Sequence, residues 1–267
     1  MARPKISACI TAGNEEANIR RCLESVKWCD EIVVVDSYSA DRTVEISREY
    51  TDRVYQHEWL GYVGQKNFIR GLARNSWILF IDADEEVSRE LRDEILREFE
   101  KGPGSYVGYR FPRRVFYLGR WIYHGEWYPD YKLRLFLKER GKSEGQEPHD
   151  HVMVNGPVKT LKGHLNHYTY RDLADHLHTV NQFSSISARE KYQRGVKFRW
   201  ADLIGRPLWR FMKGYFIRRG FLDGFQGFIV SSITSFGVLM KYAKLWELEH
   251  ELPQTFPSGR SGRGSRG

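Results

Sequence analysis

The sequence predicts an α/β protein built on a doubly wound sheet, with a helical appendage towards its C-terminal end. Three observations carry this expectation. Apolar runs alternate with amphipathic stretches through about the first hundred residues, the pattern of repeated strand–helix units. Two of the runs, "EIVVVDS" and "WILFID", are almost continuously apolar, as parallel strands covered on both faces are. Beyond residue 168 strand-like alternation stops and long helical patterns take over.

The elements follow in order. "KISACIT" reads as a strand and "EEANIRRCLESVKW" as an amphipathic helix. "EIVVVDS" is the second strand, followed by the helix "DRTVEISREY" with Asp41 as its N-cap. "DRVYQHE" is a short strand, "YVGQKNFIRGLAR" a helix and "WILFID" a buried strand. "SRELRDEILREFEK" is a helix opened by Ser88, with acids in its first turn where the helix dipole favours them. After residue 168 come "RDLADHLHTVNQFSSISAREKYQRG", "ADLIGRPLWRFMKGYFIRRG" and "LDGFQGFIVSSITSFGVLMKYAKLWELEH". The expected divisions are residues 1–167, a helical region at 168–252, and a Gly/Ser/Arg tail at 253–267 with almost nothing to bury.

With 267 residues, 41% of them hydrophobic and 14% aromatic, the chain can build a substantial core. The net charge is +8, but Arg260, Arg263 and Arg266 lie in the tail. No RNP, helix-turn-helix or zinc-finger pattern appears, so a nucleic-acid partner is not expected. Cys9, Cys22 and Cys29 show no CxxC spacing, which predicts reduced thiols and a reducing compartment. The start "MARPKISACIT" shows no signal-peptide pattern, and no run reaches the length of a membrane span.

In doubly wound sheets ligands bind beyond the carboxyl ends of the strands. Thr11, Asp36 and Asp82 sit at those ends and should converge on one crevice. No GxGxxG follows the first strand and no GxxxxGK[ST] occurs, so dinucleotide and P-loop readings lose their support. The crevice instead offers Asn14, Glu15, Asp36, Lys66 and the pair Asp82 and Asp84. Two carboxylates one residue apart can share Mg²⁺ or Mn²⁺ through hard oxygen ligands. Equally, they can do no more than cap the helix that begins near Ser88.

Taken together, "ISACITAGNEEANIRRCLESVKWCDEIVVVDSYSADRTVEI" and "QKNFIRGLARNSWILFIDADEE" resemble the nucleotide-sugar domain of glycosyltransferase family 2, inverting enzymes of GT-A fold. "PDYKLRLF", "EPHDHV", "LNHYTYRDLADHL" and "FIRRGFLDGFQGF" extend the likeness to lipopolysaccharide-core glucosyltransferases of the WaaE/KdtX type. The resemblance implies a UDP-sugar donor, UDP-glucose favoured, whose diphosphate is held by a divalent ion on Asp84 and Asp82. It implies that Thr11, Asn14 and Glu15 line the nucleotide pocket, that Asp36 accepts a hydrogen bond from uracil, and that Lys66 lies near the nucleotide. It implies a lipid-linked saccharide acceptor and a peripheral place on the inner face of a bacterial cytoplasmic membrane. A polyprenyl-phosphate glycosyltransferase is the alternative within the superfamily, and a non-catalytic sugar-nucleotide scaffold the alternative outside catalysis. Gly13 stands where relatives usually carry a bulkier residue, and "DSYSADRT" replaces the commoner "DSGSTDxT".

An inverting displacement needs a carboxylate on the acceptor side to take the hydroxyl proton. "EPHDHV" offers Asp150, in the place of the family's His-Glu acid, with Glu147 as fallback, in a loop ahead of a hairpin. His149, His151, His164 and His167 have HxH and HxxH spacings but no HExxH or cysteine context, so substrate contacts are preferred to zinc. Trp121, Tyr123 and Trp127 are acceptor-site candidates, because rings stack on sugars; core packing is the plain alternative. Leu203, Leu208, Phe211, Tyr215 and Phe216 interleave with Arg206, Arg210, Lys213, Arg218 and Arg219, the pattern of a helix lying in a membrane interface.

Overall fold

The computed structural model describes residues 3–146 and 149–250. Glu147 and the 253–267 tail lie outside the described residues, as does the side chain of His149.

The strand–helix alternation is present. It runs β1 (Ile6–Ala12), α1 (Ile19–Val26), β2 (Glu31–Asp36), α2 (Thr43–Arg48), β3 (Val54–Gln56), α3 (Gly61–Leu72) and β4 (Trp77–Asp82). These four strands are parallel in the order β3-β2-β1-β4. Their continuous apolar runs serve two cores. Ile6, Ala8 and Ile10 of β1 face Ile19, Leu23 and Val26 of α1. Cys9, Val33, Val35, Ile78 and Phe80 face the opposite side, where Ile69 of α3 covers them. Two-sided cover is why alternation is invisible in these strands.

The rest of the sheet is mixed. The acid-rich stretch after β4 makes β5 (Glu85–Val87), and α4 (Arg89–Lys101) follows. Ser88 caps α4 as expected, its hydroxyl accepting from the Leu91 amide at 3.2 Å. Then come β6 (Gly108–Tyr117), β7 (Arg120–Ile122), β8 (Asp130–Leu137), β9 (Gly141–Gln146), β10 (His149–Val154), β11 (Val158–Thr160) and β12 (Leu165–His167). β8 pairs antiparallel with β4, β6 antiparallel with β8, and β12 lies between β6 and β5. The doubly wound expectation therefore describes the parallel half, and the far half mixes antiparallel pairs with the parallel pairing of β11 and β12 to β6. β9 and β10 form a separate hairpin that rests on α3, where the Asn67 amide group bonds both backbone groups of Ser143 at 2.9 and 3.0 Å.

Three α-helices follow among the described residues: α5 (Leu173–Gln193), α6 (Trp200–Met212) and α7 (Gly224–Glu249). They are tied to the sheet by Asp223. This buried carboxylate accepts from the Tyr123 and His124 amides at 3.0 and 2.7 Å. At the same junction the start of α7 meets the preceding turn so closely that a Cβ on Gly227 would lie 1.9 Å from the Gly220 carbonyl oxygen.

His176 on α5 is buried against Tyr117, whose hydroxyl lies 2.7 Å from Nδ1. Burial pushes its pKa from 6.5 down to about 4, only partly opposed by Asp175. The native state thus refuses a proton that the unfolded chain accepts. Stability is full above pH 6.5 and falls as pH drops towards 4, by on the order of 3 kcal/mol from this group. Urea unfolding at pH 7.5 and 4.5 checks this, and His176→Gln is expected to flatten the difference. An unchanged difference in that variant contradicts the assignment.

Candidate active site

The parallel register brings the expected residues together. Thr11 lies opposite Asp82 and Ala12 opposite Asp36, so three strand ends meet at one edge. A cleft of about 960 Å³ opens there. Thr11, Gly13, Asn14 and Glu15 form one wall, and Asp82 and Asp84 the floor. Arg110, Arg113, Arg134, Asp150 and His167 complete it.

The acidic knot is largely neutralised from within. Asp82 takes Arg134 Nη2 at 2.6 Å, Lys66 Nζ at 3.2 Å and the Thr11 hydroxyl at 3.2 Å. Burial works to raise its carboxyl, but Arg134 and Lys66 hold it well below the usual carboxylate range. Glu85, fully buried, accepts from Arg113 at 3.0 Å and Arg134 at 3.1 Å. Lys66, itself buried, bridges onwards to Asp150 at 3.0 Å. Alternating charges thus run Asp150–Lys66–Asp82–Arg134–Glu85–Arg113, and each buried ion has the partner its burial demands.

Asp84 stands apart from this chain. Its Oδ2 lies 2.9 Å from His167 Nε2. Burial opposes ionisation, yet the His167 charge and hydrogen bond bring the carboxyl below its usual value. The two acids of the DxD, expected to share a metal, have different partners: both oxygens of Asp82 are held by protein cations, and Asp84 faces an imidazole. His167 Nδ1 is buried and has no hydrogen-bond partner among the described residues. The Asp84 carboxylate is the hard oxygen donor that Mg²⁺ or Mn²⁺ takes, and the imidazole beside it is a softer donor that Mg²⁺ accepts less readily. No group of three or more His, Cys, Asp or Glu is placed to hold a metal among the described residues. An ion here would take its remaining ligands from substrate and water.

Other expected residues are placed as follows. Asn14 has φ of +56°, and its Oδ1 accepts from the Ala40 amide at 2.9 Å. Burial pushes the Glu15 carboxyl up against a hydrogen bond from Asn18, and the Asp84 charge adds to the rise. Asp36 is fully buried and does not line the cleft; its carboxylate accepts from the Ser39 amide and hydroxyl and from Gln56. Asp150 sits within strand β10 and not in a loop, because the hairpin begins earlier than its sequence suggests.

The three acceptor candidates do not line this cleft. The β6–β7 pairing sets Trp121 opposite Phe116, and its ring packs on Phe116, Tyr168 and the Arg114 guanidinium. Tyr123 meets Arg114 and Tyr128. Trp127 packs on Tyr117 and Tyr170 and borders a second cavity. The rings at the cleft are Trp59, Tyr62, Tyr131 and Phe183. His164 bonds Tyr128, away from His167, so the histidines form no zinc cluster among the described residues. Arg134 and Glu85 were not singled out in the sequence. No local pattern in "DYKLRLF" marks Arg134, because β8 shifts register against β6 there, with Leu133 opposite Arg110 and Leu135 opposite Tyr109.

The fold and the cleft set the chain among the glycosyltransferases. It belongs to glycosyl transferase family 2, whose pattern matches residues 7–161. A glycosyltransferase of Rickettsia typhi, itself uncharacterized, is 36% identical over 91% of this chain and 87% of its own length. The lipopolysaccharide core biosynthesis glycosyltransferase LpsC of Rhizobium meliloti is 30% identical over 91% of this chain and 92% of its own. The solved mannosyltransferase PcManGT from Pyrobaculum calidifontis, in complex with GDP-Man and Mn²⁺, shares the fold with a TM-score of 0.55 at 14% identity, covering 92% of this chain and 88% of its own.

Proposed function

We propose that this enzyme transfers a hexose, glucose in the favoured case, from a UDP-sugar to a lipid-linked saccharide of the lipopolysaccharide inner core, with inversion and with a divalent ion. The observation that supports it most is the Asp84–His167 pair on the cleft wall beside a carboxylate network that is already charge-compensated. Asp84, with His167 beside it, would hold Mg²⁺ or Mn²⁺, which would supply counter-charge to the diphosphate. LpsC, a core biosynthesis enzyme along almost its whole length, supports the acceptor class.

The protein's own groups divide the work. Asp36 acts from beneath the nucleotide pocket: it fixes Ser39, whose hydroxyl holds the Asn14 amide at 2.7 Å. Asp150 is the base. Its Oδ2 is engaged by Lys66 and Ser143, while Oδ1 forms no hydrogen bond among the described residues. The acceptor oxygen attacks the anomeric carbon, the bond to the diphosphate breaks, and the hydroxyl proton passes to Asp150. Labelled UDP-glucose offered with core lipid and with polyprenyl phosphate side by side tests this. Label on core lipid is expected, and label on polyprenyl phosphate alone selects the alternative.

The α6 face supports membrane docking. Trp200, Ile204 and Leu208 recur every four residues and are 67%, 66% and 61% exposed, with Trp209 at 60% beside them. The expected row of free cations is thinner than the sequence suggested. Arg206 pairs with Asp202, and Arg210 and Arg218 with Glu126. Among the described residues one helix, Gly220–Glu249, is long and apolar enough to cross a membrane, with a mean hydropathy of only 1.2, and its residues 224–249 pack against α5 and α6. Apolar contact thus leads, with charge secondary. Replacing Ile204, Leu208 and Trp209 by Ser is expected to weaken binding to anionic liposomes at least about tenfold. Unchanged co-sedimentation contradicts the docking face.

A further inference from the structure

A second cavity of about 430 Å³ lies between α5, α6 and α7. Trp127, Val180, Ile186, Ile233 and Val238 give it apolar walls. Phe183 borders both this cavity and the sugar cleft, so the two share a wall. At its rim stand Arg210 and Lys241. Lys191, Arg206 and Lys241 gather around the Tyr242 ring at 5.6, 5.6 and 5.1 Å. Lys241 forms no ion pair among the described residues; the nearby acids are Asp202, bonded to Arg206, Glu126, bonded to Arg210, and Glu190 on the cavity lining.

We infer that this cavity receives one hydrocarbon chain of the lipid-linked acceptor, with the acceptor's anionic head group drawn to Lys241 and Arg210. The inference rests on the lipid-linked reading of the acceptor and names where its lipid sits. Three features select that occupant over a polar ligand or a peptide. The walls are apolar and the volume is that of a small-molecule site. At the rim Lys241 has no ion-pair partner among the described residues, while Arg210 is already held by Glu126, so the Lys241 ammonium is the charge that matches a phosphate or carboxylate head group. The shared wall at Phe183 puts a chain lodged here next to the cleft where its saccharide must react. Burial and the surrounding cations Lys191, Arg206 and Arg210 push the Lys241 ammonium below its usual value, the cost of crowding positive charge that an incoming anion would relieve.

The test is a titration of full-length protein with butyl, octyl and decyl phosphate below their micelle concentrations, with decyl glucoside as the uncharged comparison. UDP-glucose binding is measured on the same samples. Affinity is expected to rise about fourfold per added methylene. Val238→Trp fills the cavity and should weaken decyl phosphate about thirtyfold or more. Ile186→Trp fills it from α5 and serves if the first variant does not fold. Lys241→Gln should lower decyl phosphate affinity about tenfold and leave decyl glucoside unchanged. Both Trp variants should keep wild-type binding to plain phosphatidylglycerol vesicles. Equal binding of butyl and decyl phosphate, or wild-type decyl phosphate affinity in both Trp variants, overturns the inference. So does a parallel loss of vesicle binding, which assigns the cavity to a bulk bilayer lipid. If UDP-glucose binds and decyl phosphate does not, only the cavity assignment falls. If UDP-glucose itself fails to bind, the proposed transfer falls with it.

Discussion

Replacing Asp84 by Ala is expected to lower turnover about a thousandfold, the scale of losing several kcal/mol of metal-borne charge stabilisation in the transition state. The change removes a carboxylate whose only side-chain partner among the described residues is His167. Asp82 keeps Arg134 and Lys66, so the fold loses little. His167→Ala should weaken metal stimulation in the same direction. Turnover of Asp84→Ala that equals wild type and persists in EDTA sinks the metal assignment. A loss with Asp84→Ala that is matched by a collapse in thermal stability makes the residue structural instead.

Asp150→Asn is expected to cost about a hundredfold or more in turnover, the usual scale for a positioned base. The amide keeps the size and can still accept from Lys66 and Ser143, the two contacts that Asp150 makes at 3.0 and 3.3 Å. Donor affinity should barely change. Equal losses of turnover and UDP binding reassign Asp150 to the donor site. Near-normal turnover moves the base to Glu147.

The sequence disclosed what local pattern encodes. β1, β2 and β4 were legible because continuous apolar runs ending in Asp or Thr mark parallel strands, and α4 because Ser88 and its acidic first turn mark a helix start. The meeting of the β1, β2 and β4 ends at one edge followed from parallel topology alone, which brings Thr11 and Asp82 to the cleft and leaves Asp36 buried beneath it. β5 was missed because three residues within an acidic run carry no strand signal; Glu85 and Val87 are buried only because β12 pairs with them. Arg134 was missed, and His167, noted only for its spacing from other histidines, was not placed beside Asp84, for the same kind of reason. They reach the site through the β4–β8 pairing and through β12, contacts distant in sequence that no periodicity reports. The aromatic run around Trp121 invited an acceptor reading, and the β6–β7 hairpin turned its rings onto one another instead.

The central claim is that the Asp84–His167 wall holds a sugar-nucleotide diphosphate through a divalent ion. Calorimetric titration of UDP-glucose in Mn²⁺ and in EDTA tests it most directly. The account predicts saturable binding with Mn²⁺ that falls at least about tenfold in EDTA, with the metal-dependent part absent from Asp84→Ala. Equal affinity in Mn²⁺ and EDTA, or a metal-dependent gain retained by Asp84→Ala, would contradict it.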